Sequence, residues 1–286
     1  MKFSKLMNFK FLITFLFICL SQIAFSGITN TDSIDVVKEE LSKADKNTLV
    51  IFDCDDVLIH KTDALFSKKN EKEFNKCVKN ILMKNPLAIL SVHEFVGIVF
   101  ESVDQILVDE KLPEIVSNLQ KNGVKVIVLT AMKNEILNDQ WAIDLRINEL
   151  KKFGFDFSKS WGPLKEKFFG KDGDSQYYKS GIVCSKPGDK GDAIELFLKH
   201  SKFKPSKIIF IDDRRNNLVN AEKKMEELGI KLKGIEYISA HKIPCKFEFS
   251  EDRTMFQLKY LMNNKKWLSD EKAETELAKQ PMLSQD

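Results

Sequence analysis

Three things are scarce in this sequence, and each scarcity narrows its class. Net charge is the first. Removing residues 1–26 takes away three lysines and no acid, which leaves 42 basic against 42 acidic side chains. A chain without a global field has no bulk attraction for nucleic acid or anionic membrane. Cysteine is the second. Beyond Cys19 there are Cys54, Cys77, Cys184 and Cys245. Four in 260 residues do not make a disulfide-dense scaffold. They read as small buried hydrophobes, with oxidation, and three full pairings, open in an exported chain. Long apolar runs are the third. Phe11–Leu20, broken by Thr14, spans ten residues, where a bilayer needs about twenty. No later run approaches that length, and no internal repeat is visible.

What is present begins with an export signal. Lys2, Lys5 and Lys10 form a basic leader, and Ala24 and Ser26 stand at the −3 and −1 positions before Gly27. This pattern predicts a signal peptide over 1–26 and a mature chain that is periplasmic or secreted, without a stable membrane anchor. A retained anchor is the alternative. The remaining length suits one large domain or a domain with an insertion, and 43% hydrophobic residues suffice for a core.

Three β-branched-rich runs, Leu49–Phe52, Val124–Leu129 and Ile208–Ile211, read as buried parallel strands, each ending at a polar residue. A helix over Pro113–Leu119, stopped by Asn122-Gly123, enters the second strand. Another follows Asp212-Asp213 and ends at Gly229, before a further strand in Gly234–Ser239. Alternating strands and helices predict an α/β fold with a doubly wound parallel sheet. The core is expected over 27–59 and 109–262, with a small helical cap inserted over 60–108 and a polar tail, frayed or disordered, over 263–286.

Within the cap, Asn70–Lys84 has an amphipathic face of Phe74, Val78, Ile81 and Leu82, and Asn70 can cap it. Pro86 ends it, and Ser91–Leu107 reads as a second helix. The lysines at 61, 68, 69, 72, 76, 79 and 84 read first as a solvated face, with reception of an anionic substrate as the alternative. His93 reads as a packed histidine. Residues 163–184 read as a hairpin turning near Asp172-Gly173.

The polar strand ends carry the chemistry. Asp53, Asp55 and Asp56 crowd four positions after the first strand, and Asp212-Asp213 follow the third. Carboxylates this close raise one another's pKa, and a divalent cation offsets that repulsion. In doubly wound sheets ligands bind beyond the carboxyl ends of the strands, where strand order reverses. Strands ending at Asp53 and Asp212 can be neighbours, so both acids can ligate one Mg²⁺.

Four features stand in order: Asp53-Cys54-Asp55, Thr130 in "VIVLTAM", Lys190 in "KPGDKGDAIELFL", and Asp212-Asp213 in "IIFIDDRRNN". Together they resemble the four-motif signature of the haloacid dehalogenase (HAD) superfamily over Leu49–Ile238, and beyond it HAD-like secreted bacterial proteins of unknown function. The resemblance implies a Mg²⁺-dependent phosphatase acting on a small phosphorylated substrate. Asp53 would be the nucleophile and Asp55 the general acid and base, contributing its backbone carbonyl to the metal. Thr130 and Lys190 would bind the phosphoryl group, and Asp212 and Asp213 would hold the metal. Lys186 is the rival for the lysine role. An acid at position 55 goes with phosphatases and mutases rather than pumps, and Asp212-Asp213 argue against the dehalogenases. A phospho-receiver module shares the residue types but places its acidic pair first. A secreted binding or effector protein with little turnover is the alternative function. Oligomeric state is not readable from the sequence.

Overall fold

A computed structural model describes residues 27–84, 97–98, 102–131, 140–169, 176–186 and 188–279. The signal segment, His93 and the Asp172-Gly173 turn lie outside the described residues.

The chain runs β1 (Thr29–Thr31), α1 (Ile34–Leu41), β2 (Thr48–Phe52), β3 (Ile59–Lys61), α2 (Glu71–Lys84), β4 (Gln105–Leu107), α3 (Leu112–Lys121) and β5 (Lys125–Ala131). It continues with α4 (Gln140–Lys152), β6 (Lys167–Phe169), β7 (Gln176–Lys179), β8 (Ile182–Ser185), α5 (Lys190–Ser201), β9 (Lys207–Asp212), α6 (Arg215–Glu227), β10 (Lys231–Tyr237), α7 (Glu251–Asn264) and α8 (Asp270–Lys279). Eight strands form one sheet in the order β1-β10-β9-β2-β5-β8-β7-β6. Pairing is parallel from β1 through β8 and antiparallel at β8-β7 and β7-β6.

The fold is therefore α/β with a mostly parallel sheet, and the reason is visible along each central strand. Val50 and Phe52 face one core with Val126, Val128, Ile209 and Ile211, under α1 and α3. Leu49 and Ile51 face the other with Ile127, Leu129, Ile208 and Phe210, under α5 and α6. A strand buried on both faces needs apolar residues at consecutive positions, which is why the runs read as continuous. From β2 the chain steps to β5 and β8, then returns across β2 to β9 and β10. Strand order thus reverses between β2 and β9.

Two expectations are corrected here. Residues 163–184 form a three-stranded meander rather than one hairpin. Its second turn is Ser180-Gly181, both at positive φ (50° and 84°), the geometry of a tight two-residue turn. A side chain at 181 would collide with the Phe157 carbonyl, 2.4 Å from an added Cβ. The end of the expected Ser91–Leu107 helix is a strand, since Gln105–Leu107 pairs antiparallel with β3.

Residues 263–279 are also not a loose tail. α7 packs on α2, and Leu258, Leu261 and Trp267 join Leu65, Cys77 and Ile81 in a separate apolar cluster. A buried polar clip fastens it. Trp267 Nε1 donates to Asp63 Oδ2 (2.6 Å), and the Asp270 carboxylate accepts from the Ala64 amide (2.7 Å) and Arg253 Nε (3.0 Å). Arg253 also donates to Glu274 (2.6 Å) and to the Glu248 carbonyl. The helical cap is thus built from both the insertion and the C-terminal helices.

Arg253→Met leaves Asp270 buried without its cation, an arrangement that costs about 3–5 kcal/mol in comparable buried pairs. Urea unfolding followed by tryptophan fluorescence should show a loss of that order. A loss below about 1 kcal/mol, the range of an exposed pair, would mean that the clip is not structural.

Candidate active site

The carboxyl edge between β2 and β9 gathers the charged residues. Phe52 pairs with Ile211, so Asp53 and Asp212 leave their strands level with one another, and the Asp53 amide donates to the Ile211 carbonyl at 2.8 Å. Asp53, Asp212 and Asp213 are all buried, and an oxygen of each lies within 4.8 Å of the others. Between them sits the Lys190 ammonium, 2.9 Å from Asp53 Oδ2 and 2.6 Å from Asp212 Oδ2. Lys190 is 1% exposed and also lies over the Phe210 ring, 5.6 Å from its centroid.

Local chemistry explains why Lys190 reaches this point. It opens α5, and the next residue, Gly191, sits hard against α6, where an added Cβ would stand 2.8 Å from Lys224 Cβ and 2.9 Å from Asn220 Oδ1. The Gly191 amide donates to that same Asn220 oxygen at 2.8 Å. Glycine here lets the two helices close, which fixes the lysine stem. Lys186 lies four residues earlier and half-buried; the two pairs to Asp53 and Asp212 are made by Lys190.

Further groups satisfy the cluster. Asp212 Oδ1 accepts from the Arg214 amide (2.8 Å) and Asn217 Nδ2 (3.0 Å). Asp213 Oδ2 accepts from Lys68 Nζ (2.7 Å), and His241 Nε2 lies 3.2 Å away. Thr130 is buried at the same edge, one residue past the level of Asp53, because Phe52 pairs with Val128.

Asp55 is placed differently. Its half-exposed carboxylate pairs with Lys61 (2.7 Å) and with Arg146 of α4 (2.8 Å), whose guanidinium is itself held by Glu149. The loop that carries it is a tight turn in which the Leu58 and Ile59 amides both donate to the Cys54 carbonyl.

Charge and burial set the protonation states. Burial raises Asp53 most, Lys190 pulls it back, and Asp212 and Asp213 push it up again, to about 8. Partial removal from water works against ionisation of Asp55, but Arg146 and Lys61 outweigh it and hold this carboxyl well below the usual range. Asp213 is likewise lowered against its burial, by His241 and Lys68. Three carboxylate donors are hard oxygen ligands of the kind that Mg²⁺ prefers, and the push of Asp212 and Asp213 on Asp53, which adds to that of burial, is one that a divalent cation relieves. The residues fit such an ion.

Sequence reasoning missed several members of this site. Lys61 and Lys68 read as part of a solvated face, yet each touches a carboxylate of the site. Asn217 was visible inside "IIFIDDRRNN", since a short amide one turn into the helix can reach back to Asp212. Arg146 and His241 carry no sequence signal. The four cysteines are free, with Cys54, Cys77 and Cys184 buried.

In chelator, the Asp53 shift carries a sign. Its folded value lies above the unfolded carboxylate value of about 3.9, so folding favours the protonated form. The associated stability is complete below about pH 4 and is lost as pH rises toward about 8. Asp53→Asn removes that dependence. Denaturant unfolding of the two chelated proteins should therefore show the variant gaining stability relative to wild type from pH 5 to pH 8. A constant difference would mean that Asp53 is not held in its protonated form.

Comparison with known proteins gives the chain relatives. A family model described as a protein of unknown function, DUF2608, matches residues 30–274. An uncharacterized protein of Rickettsia prowazekii, RP296, is 23% identical, covering 92% of this chain and 96% of that protein. A Chlamydia pneumoniae protein provisionally named an outer membrane protein is 25% identical, covering 78% of this chain and 82% of its own length. Among the described residues, no helix is long and apolar enough to cross a membrane.

Proposed function

The chain belongs to the DUF2608 family, and we propose that this member is an exported, Mg²⁺-dependent phosphomonoester hydrolase of HAD type, working through an aspartyl-phosphate. The observation that carries the reading is the buried trio Asp53, Asp212 and Asp213 at the point where strand order reverses, with Lys190 between two of them. Export rests on the leader, the Ala24/Ser26 pattern and the name of the Chlamydia relative.

Asp53, Asp212, Asp213 and the Asp55 carbonyl would hold the Mg²⁺, which when bound neutralises the carboxylates and polarises the phosphoryl group. Asp53 is the nucleophile: its carboxylate oxygen forms a bond to phosphorus as the ester P–O bond breaks. Asp55 gives a proton to the departing oxygen. A water then attacks phosphorus, its proton passes to Asp55, and the acyl-phosphate P–O bond breaks to free Asp53. Lys190 and Thr130 bind the phosphoryl oxygens. The ion pairs of Asp55 suit its second role, since an ionised carboxylate is the form that accepts a proton. For its first role, the incoming dianion competes for Arg146 and Lys61 and lets Asp55 take up a proton.

A second reading is a binding protein without turnover. It is favoured by one feature: Lys190, Lys68 and His241 already contact the three carboxylates without a metal.

Nitrophenyl phosphate and labelled phosphate transfer separate the two. Wild type with Mg²⁺ should turn over and, on rapid acid quench, carry covalent phosphate. Asp53→Asn should do neither. Asp55→Asn should lose about 10²–10⁴-fold in turnover of alkyl phosphates, the usual range for proton transfer, while still trapping label from the nitrophenyl ester. No turnover by wild type, or label retained by Asp53→Asn, would overturn the reading.

A further inference from the structure

Beside the carboxylate cluster lies a second feature that the phosphoryl site does not use. A cleft of about 430 Å³ opens between the cap and the loop that follows β10. Its charged lining is Lys68, Lys69, Lys242, His60, His241 and one acid, Asp56, and Ile243-Pro244 form an apolar patch among them. The cleft is contiguous with the site, because Lys68 and His241 line it and also touch Asp213.

The cations here are placed to exchange partners. Lys242 pairs with Asp32, and Lys69 lies 3.7 Å from Glu248, but both lysines and both acids are well exposed. Exposed pairs of this kind are worth about 0–1 kcal/mol, so an anion brought into the cleft can take either ammonium. Asp56 is different. It is engaged with His60 Nδ1 at 2.7 Å, and His60 is 6% exposed. The acid therefore orients the imidazole within the lining. Three lysines against one engaged carboxylate, with an apolar patch between them, describe a receptor for a short carbon skeleton ending in negative charge.

We propose that this cleft binds the leaving group of the substrate, and that the leaving group carries a second anionic group, a phosphate or a carboxylate. The inference rests on the phosphatase reading and deepens it. The phosphoryl group being transferred lies at Asp53, and the distal anion lies against Lys69 and Lys242. Lys68 borders both sites. A neutral alcohol leaves the cleft lysines on their exposed partners and gains nothing from them. A substrate with a second anionic group gains two ammonium contacts in a concave, partly apolar site where charge is less screened than on an open surface.

Three substrates and one non-hydrolysable probe test this. Butyl phosphate, butanediol bisphosphate and the phosphate ester of hydroxybutanoate differ at the far end of a common chain. In wild type with Mg²⁺ the two esters with a second anionic group should exceed butyl phosphate in kcat/KM by about tenfold or more, equivalent to about 1.4 kcal/mol. The better of the two identifies the distal group. In a Lys69→Ala/Lys242→Ala variant that ratio should collapse to within about twofold, while Lys79→Ala, an exposed lysine of α2 that does not line the cleft, keeps it. Equal kcat/KM for all three esters in wild type, or an unchanged ratio in the double variant, would overturn the proposal even with turnover intact. Calorimetry with butane bisphosphonate in chelator reads the cleft without catalysis. Wild type should bind it and the double variant should bind at least about tenfold more weakly. Equal binding refutes the cleft, and weakened binding with no turnover of any ester refutes the phosphatase reading alone.

Discussion

The Lys190 ammonium, held between Asp53 and Asp212, is the contact on which the rest of the site depends. All three groups are removed from water, and a buried charge without a partner costs several kcal/mol. The arrangement stands because independent features agree. Parallel register brings Asp53 and Asp212 level. Gly191 lets α5 close on α6, and Asn217 and the Arg214 amide occupy the outer lone pairs of Asp212. Even so, one acid remains beyond the reach of Lys190. Asp213 turns instead to Lys68 and His241, which come from the cap and from the loop after β10. The charge balance of the core is thereby completed by elements outside it.

That dependence ties the cap to the chemistry. Lys68 reaches Asp213 because the Lys68–Asn70 turn is fixed, and Asn70 Nδ2 fixes it from within by donating to the Ala64 carbonyl at 2.7 Å. Ala64 is in turn bound through its amide to Asp270, which Arg253 neutralises. A chain of buried polar contacts therefore runs from the last helix to the edge of the carboxylate cluster. Withdrawal of Lys68 would leave Asp213 short of a counter-charge, the state in which a divalent cation gains most there.

Much of the centre of this molecule was legible from sequence, for a physical reason. Strands buried on both faces must be apolar at successive positions, so β2, β5 and β9 announce themselves, and the acids that end them stand out against that background. The same logic fails at the periphery. Asp270 is buried against Arg253 and the Ala64 amide, and composition alone reads its segment as a solvated tail. Lys61 and Lys68 belong to a lysine-rich stretch in which Lys69, Lys72, Lys76 and Lys79 do face water, and only the folded cap separates them. Arg146 lies on α4, far from Asp55 in sequence, and nothing local marks it. The Ser180-Gly181 turn that carries β8 into the parallel sheet was hidden inside a segment read as one hairpin.

The central claim is that Asp53, Asp212 and Asp213 form one metal and phosphoryl site, with Lys190 as its resident cation. A crystal structure of the protein with Mg²⁺ and a tetrahedral mimic of the phosphoryl group such as beryllofluoride tests it most directly. The account predicts the mimic bonded to an Asp53 carboxylate oxygen, the ion shared by Asp53 and Asp212, and the Lys190 ammonium moved from Asp212 onto the mimic. A structure in which the ion and the mimic are bound elsewhere, with Lys190 still between Asp53 and Asp212, would contradict it.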